Sequence, residues 1–177
     1  MVSVNLAMAI AQEINRKAIL IDGDLRRPSI HLEKNQNSKG LSNYLLNGAS
    51  VSEILLNSEI KNLRIITAGP STSKSSELIG SKKMLGLLKY LSESEEETYI
   101  VIDSAPIIST SEPSLLTKMV DGVILVVRAG YASREAIQRS IKSIDQQKII
   151  GLVFNQVDIR PSTYFSEYYR YYKYYKQ

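Results

Sequence analysis

The chain has 177 residues, enough for one domain with a substantial core, and its 44% hydrophobic and 23% charged content is that of a folded globular protein. It has no cysteine and one histidine, His31, which excludes a disulfide scaffold, a thiolate metal site and a multi-histidine centre; a Ser-His-Asp triad would have to use His31, and no nucleophile-elbow motif accompanies it. The net charge of +4 is uneven: from Arg160 onward Arg160, Arg170, Lys173 and Lys176 outweigh Glu167 by three, so the body carries about +1 and shows a basic tail, with no nucleic-acid footprint across the domain.

Leu6, Ala9, Ile10 and Ile14 share one face of a helix expected over Val2 to Ile14. Ala18-Ile19-Leu20-Ile21 is a short apolar run ending in Asp22, the pattern of a strand buried on both faces. Pro28 interrupts the next stretch. Two short helices are expected at Gly40 to Leu46 and Val51 to Leu56. Leu63 to Thr67 is strand-like and stops at Ala68-Gly69-Pro70. Residues 71–76 read as a polar loop, and Glu77 to Leu91 as one helix. The acidic run Glu93 to Glu97 reads as a solvated turn. Tyr99-Ile100-Val101-Ile102-Asp103 is a second buried strand that ends in an aspartate. A loop with Pro106 leads to a helix from Glu112 to Met119. Gly122 to Arg128 and Ile149 to Asn155 read as two further buried strands around a helix from Ser133 to Gln147. Strands alternating with helices predict an α/β domain with a mainly parallel sheet over residues 1–159. Residues 160–177 differ in kind, because the last 14 residues hold seven of the eleven tyrosines.

No apolar run reaches the roughly 18–20 residues needed to cross a bilayer. Met1-Val2-Ser3-Val4-Asn5-Leu6 lacks the basic start and cleavage site of a secretory leader. The expectation is a cytoplasmic protein that meets the inner face of the membrane through a partner.

In open α/β sheets ligands bind beyond the carboxyl ends of the strands. Two strands here end in aspartates, in Ile21-Asp22-Gly23-Asp24-Leu25-Arg26-Arg27-Pro28 and in Ile102-Asp103-Ser104-Ala105-Pro106. A single strand-end aspartate commonly starts a turn. Two of them, with the Asp-Gly-Asp-Leu-Arg-Arg-Pro continuation, point to a divalent cation such as Mg²⁺ bridging phosphates.

These motifs resemble those of the bacterial tyrosine kinases of capsule and exopolysaccharide biosynthesis, deviant P-loop ATPases related to MinD and ParA. The Asp22 to Pro28 stretch is similar to that family's second phosphate-site motif (Walker A′), and Tyr99 to Pro106 to its Walker B strand. Gly40 to Leu45, Leu63 to Gly69, Ser76-Glu77-Leu78-Ile79, Asp121 to Arg128 and Gly151 to Asn155 are similar to its other elements, and the terminal tyrosines to its autophosphorylation tail.

The resemblance implies a P-loop NTPase-like fold, ATP and Mg²⁺, and transfer to tyrosine hydroxyls in trans. It implies Asp22 as the catalytic carboxylate near the metal, Asp24 in support of the metal or the nucleophile, and Asp103 on the metal, with Asn155 against adenine and Arg128 on phosphate. An Asn at a strand end also caps loops, and Arg128 also suits a surface position. Arg26 and Arg27 would pair with phosphate or with a neighbouring subunit. Tyr168, Tyr169, Tyr171, Tyr172, Tyr174 and Tyr175 would be phosphoacceptors. Their interleaving with Arg170 and Lys173 suits a switch in which modification reverses the tail's charge and releases it from a neighbouring subunit of a homo-oligomer; the same composition also suits a flexible low-complexity tail or a stacking surface for single-stranded nucleic acid. A membrane-embedded polysaccharide chain-length regulator would be the activator and a tyrosine phosphatase the opposing partner.

The family's Gly-Lys-Ser/Thr phosphate loop is missing from the 177 residues, as is the central strand before it. The expectation is a truncated kinase, weak or inactive as it stands. The alternatives are a non-catalytic regulatory scaffold and a MinD/ParA-like ATPase switch.

Overall fold

A computed structural model describes residues 2–31, 39–94 and 96–157. Helix α1 (Val2–Ala11) leads into strand β1 (Lys17–Asp22). Then come α2 (Leu41–Asn47), α3 (Val51–Ile54), the two-residue β2 (Leu56–Asn57) and β3 (Leu63–Ile66). Helices α4 (Ser75–Ile79) and α5 (Lys82–Glu93) precede β4 (Thr98–Asp103). The chain continues through α6 (Glu112–Leu116), β5 (Val123–Arg128), α7 (Arg134–Lys142), a short 3₁₀ turn (Gln146–Lys148) and β6 (Ile149–Asn155).

β1 runs parallel to both β3 and β4, and β2 pairs antiparallel with β3, so the first sheet has the order β2-β3-β1-β4. β5 and β6 form a separate parallel pair. The expected α/β class holds, with a sheet broken between β4 and β5.

Period-two alternation sorts the side chains of β1 onto two cores. Ile19 and Ile21 pack with Ile66, Leu41, Leu45, Met84, Leu87, Leu91 and Leu116 on the face covered by α2 and α4 to α6. Ala18 and Leu20 pack with Ala7, Ala11, Leu63 and Ile65 under α1 on the other face. The result is a helix–sheet–helix sandwich whose central strand ends at Asp22.

Several sequence expectations are corrected. The helix expected over Val2 to Ile14 ends at Ala11 and turns Ala7 and Ala11, with Val4, Met8 and Ile10, to the core, while Ala9 and Ile14 are exposed. The helix expected over Val51 to Leu56 ends at Ile54, and Leu56 pairs with Ile65 in β2. The helix expected over Glu77 to Leu91 is two helices. α4 stops at Gly80, and Ser81 turns extended and caps α5 by accepting from Met84 N at 3.1 Å. The helix expected from Ser133 to Gln147 ends at Lys142, after Ser133 caps its start by accepting from Ala136 N at 3.2 Å. Finally, neither β5 nor β6 is buried on both faces: Val126 in β5 is exposed, and in β6 Ile150, Leu152 and Phe154 point outward while its alternate residues are half-buried.

Gly40 joins α2 to the end of β3. Leu41 N donates to Thr67 O at 2.8 Å and Ser42 N to Ala68 O at 2.9 Å, so the backbones lie too close for a side chain. A Cβ on Gly40 would fall 2.3 Å from Gly69 N and 2.5 Å from Thr67 O. Gly40→Ala is therefore expected to cost about 2–3 kcal/mol. Gly86, mid-α5 with nothing within 4 Å of its Cβ position, behaves oppositely. Gly86→Ala is expected to add about 0.5–1 kcal/mol. Chemical denaturation of the two variants checks both signs.

Candidate active site

The parallel register of β1 and β4 sets Asp22 directly beside Asp103, with each strand ending on its acid. Gly23 seals the pair: its N–H donates to Asp103 O at 2.8 Å, and a Cβ there would lie 2.7 Å from the same oxygen. Asp22 is fully buried and held by backbone donors. Its Oδ1 accepts from Asp24 N at 3.1 Å, and its Oδ2 accepts from Ser29 N and Ile30 N, both at 2.9 Å. Ser29 bridges the two acids, because its Oγ also donates to Asp103 Oδ2 at 3.4 Å.

Burial pushes the Asp22 carboxyl above the ordinary carboxylate value. The three backbone donors pull it back, and the Asp103 charge pushes it further up. The carboxyl is therefore shifted toward neutrality, the direction that suits a group accepting a proton. A divalent cation held between the acids would act the other way and favour the charged form.

Asp24 organises the turn after β1. Its Oδ1 accepts from Arg26 N at 3.1 Å and from Arg27 N at 2.9 Å. Arg26 turns away from the acids: its Nε donates to Glu112 Oε1 at 2.7 Å and to Ser75 Oγ at 2.8 Å. The Arg27 side chain is exposed and has no ion-pair partner among the described residues.

Arg128 and Asn155 are register partners at the ends of β5 and β6. The Arg128 guanidinium stacks over the Tyr131 ring at 4.9 Å. Asn155 Oδ1 accepts from Gln156 N at 2.9 Å, so the side chain caps its own loop, the role open to any Asn at a strand end. Tyr168, Tyr169, Tyr171, Tyr172, Tyr174 and Tyr175 lie outside the described residues.

The residues present fit Mg²⁺. Two carboxylates on adjacent strand ends suit a hard cation that takes its remaining ligands from phosphate and water. Among the described residues no cluster of three or more potential ligands exists, so phosphate oxygens would have to complete the shell.

Sequence reasoning missed Glu112. It is 3% exposed and takes donors from the loop after β1 and from α4. Burial works against its ionisation, yet hydrogen bonds from Ser75 and Arg26 override that and hold its pKa down to about 2. Its only sequence signal is an acid next to Pro113 at a helix start, which ordinarily means a favourable dipole position and nothing more.

The AAA domain family matches residues 1–154. The putative tyrosine-protein kinase CapB of Staphylococcus aureus is 30% identical over 170 residues, which span 94% of this chain and 73% of that protein. Among solved structures, the chimerical protein CapA2B2 superposes with a TM-score of 0.79 at 30% identity, over 88% of this chain and 69% of that one. The septum site-determining protein MinD of Pyrococcus horikoshii, complexed with Mg-ADP, reaches 0.66 at 18% identity over 90% of this chain and 65% of that one, which is a likeness of fold alone. No described helix is long and apolar enough to cross a membrane.

Proposed function

We propose, on the premise that the chain belongs to the AAA-domain family and within it to the bacterial tyrosine-protein kinases, that it serves transfer of phosphate from ATP to tyrosine hydroxyls. The single observation that carries this reading is the register pairing of Asp22 with Asp103 at the carboxyl edge of the sheet. Phosphoryl transfer asks a protein mainly to position its reactants and neutralise charge, and two convergent acids on rigid strands meet that demand.

In this reading Asp22 accepts the proton of the attacking tyrosine hydroxyl, and its raised pKa supports that part. Asp103 and Asp22 would hold Mg²⁺, which when bound supplies charge neutralisation at the phosphates. Asp24 fixes the turn beside them. Arg128 and Asn155 are proposed to face phosphate and adenine, respectively. The acceptors are Tyr168, Tyr169, Tyr171, Tyr172, Tyr174 and Tyr175, interleaved with Arg170 and Lys173. Each phosphate adds about −1.5 to −2 charges, so a few of them reverse the tail's charge and release it from a neighbouring subunit's acidic site. The protein would act at the inner face of the membrane on capsular or exopolysaccharide export. A membrane-embedded chain-length regulator would activate it, and a tyrosine phosphatase would reset it.

The 177 residues contain no Gly-Lys-Ser/Thr run, and we propose that phosphate transfer by this polypeptide alone is weak. The test is ATP- and Mg²⁺-dependent phosphotyrosine on the 177-residue chain and on a version preceded by a strand and a Gly-Lys-Ser/Thr loop. The reading predicts little signal from the first and strong signal on Tyr168 to Tyr175 from the second. No signal from either would favour a non-catalytic scaffold.

A further inference from the structure

Three segments distant in sequence converge on one buried carboxylate. Glu112 begins α6, Ser75 and Ser76 begin α4, and Arg26 belongs to the turn after β1. Arg26 Nε donates to Glu112 Oε1 at 2.7 Å and to Ser75 Oγ at 2.8 Å, and its Nη2 donates to Ser76 Oγ at 3.3 Å. Ser76 Oγ lies 3.0 Å from both Glu112 Oε1 and Ser111 Oγ. Ser75, itself wholly buried, also donates to Glu112.

This network touches neither Asp22 nor Asp103. It grips Arg26, whose own backbone N–H bonds Asp24 Oδ1, while Asp24 N bonds Asp22 Oδ1. The chain of contacts therefore runs from α4 and α6 through Arg26 and Asp24 to Asp22.

We propose that Arg26 and Glu112 are positioning residues: their ion pair fastens the 23–30 segment to the starts of α4 and α6 and so fixes Asp24 and Asp22 for the chemistry. This rests on the reading of those aspartates as the active site. Only a guanidinium suits the place, because Arg26 serves two serines and a carboxylate at once from a planar fork. The same geometry removes Arg26 from direct phosphate contact, a role the sequence leaves open to both Arg26 and Arg27.

The experiment is amide hydrogen exchange on the nucleotide-free chain with Arg26→Gln, Glu112→Gln, Arg26→Lys and Arg27→Gln. Loss of a charged hydrogen bond is expected to speed exchange at the amides of Arg26, Arg27, Ser29 and Ile30 by roughly tenfold or more. Arg26→Gln and Glu112→Gln should both show it, while the amides of Ile19, Leu20 and Ile21 in β1 keep their wild-type rates. Arg26→Lys keeps the charge and should recover part of the protection, and Arg27→Gln should match wild type. Unchanged exchange at 26–30 in either Gln variant would overturn the proposal. So would uniform acceleration of loop and core together, which marks a merely structural pair. Arg26→Lys leaves the half-exposed site charged and gives a folded variant to read even where a Gln variant is lost. Since no nucleotide is present, the result stands apart from whether the chain is a kinase.

Discussion

Asp22→Asn, placed in a version of the chain that carries a Gly-Lys-Ser/Thr loop, is expected to lower tyrosine phosphorylation by about a hundred- to ten-thousandfold, the span typical of a lost general base. Asn matches Asp in size but not in chemistry. Both Asp22 oxygens accept from backbone N–H groups, so one of those donors would face the new NH₂. That mismatch in a fully buried site should cost about 1–3 kcal/mol of stability. Rates are therefore compared per folded molecule, with circular dichroism measuring the folded fraction. A loss confined to stability, with near-normal turnover of the folded protein, would remove Asp22 from the chemistry. Asp103→Asn gives a companion result. Removing the neighbouring charge takes away one of the influences that raise the Asp22 pKa, so its carboxyl resonance should titrate at lower pH.

Acid should destabilise the fold through Glu112. The folded protein holds this carboxyl at about 2 against an ordinary value of 4.5. Between those values the unfolded chain binds more protons, so each step down in pH favours unfolding. The contribution is complete above about 4.5 and lost as pH falls through about 2. Glu112→Gln should flatten this window in urea titrations. Arg26→Met leaves the buried carboxylate without its cation and is expected to cost about 2–3 kcal/mol, below the full range for buried pairs because Arg26 is half exposed. Replacing both, with Arg26→Met and Glu112→Leu, should recover much of that loss, since no charge is then stranded. A double variant no more stable than Arg26→Met alone would mean that the apolar pair cannot pack.

The five parallel strands are legible in the sequence because each is a short, continuous apolar run, whereas the antiparallel β2, two residues long, is too short to show a pattern and begins within a stretch that reads as helix. Asp22 and Asp103 stand out because each closes such a run. Their adjacency is not legible: it depends on the connection from β3 to β4 crossing over β1, so that β4 lies along the edge of β1 opposite β3, a topology that local pattern does not encode. The break at Gly80-Ser81 is readable in principle as a stop followed by a cap, but apolar residues at helical spacing run through both sides and hide it. The division of labour between Arg26 and Arg27 is invisible, since adjacent arginines look alike until one finds a buried acid from a segment 86 residues away. Glu112 escapes notice for the same reason.

The family likeness supports a kinase, but the proposed chemistry stands or falls on whether the paired strand-end aspartates hold a divalent cation. The most direct measurement is a titration of the isotopically labelled chain, in a version that carries a Gly-Lys-Ser/Thr loop, with Mn²⁺, alone and with ADP, read by paramagnetic broadening of amide resonances. A cation held between the acids predicts early, local broadening at Asp22, Gly23, Ser29 and Asp103, strengthened by ADP and abolished by Asp103→Asn. Broadening that begins elsewhere, or that persists at these amides in Asp103→Asn, would contradict it.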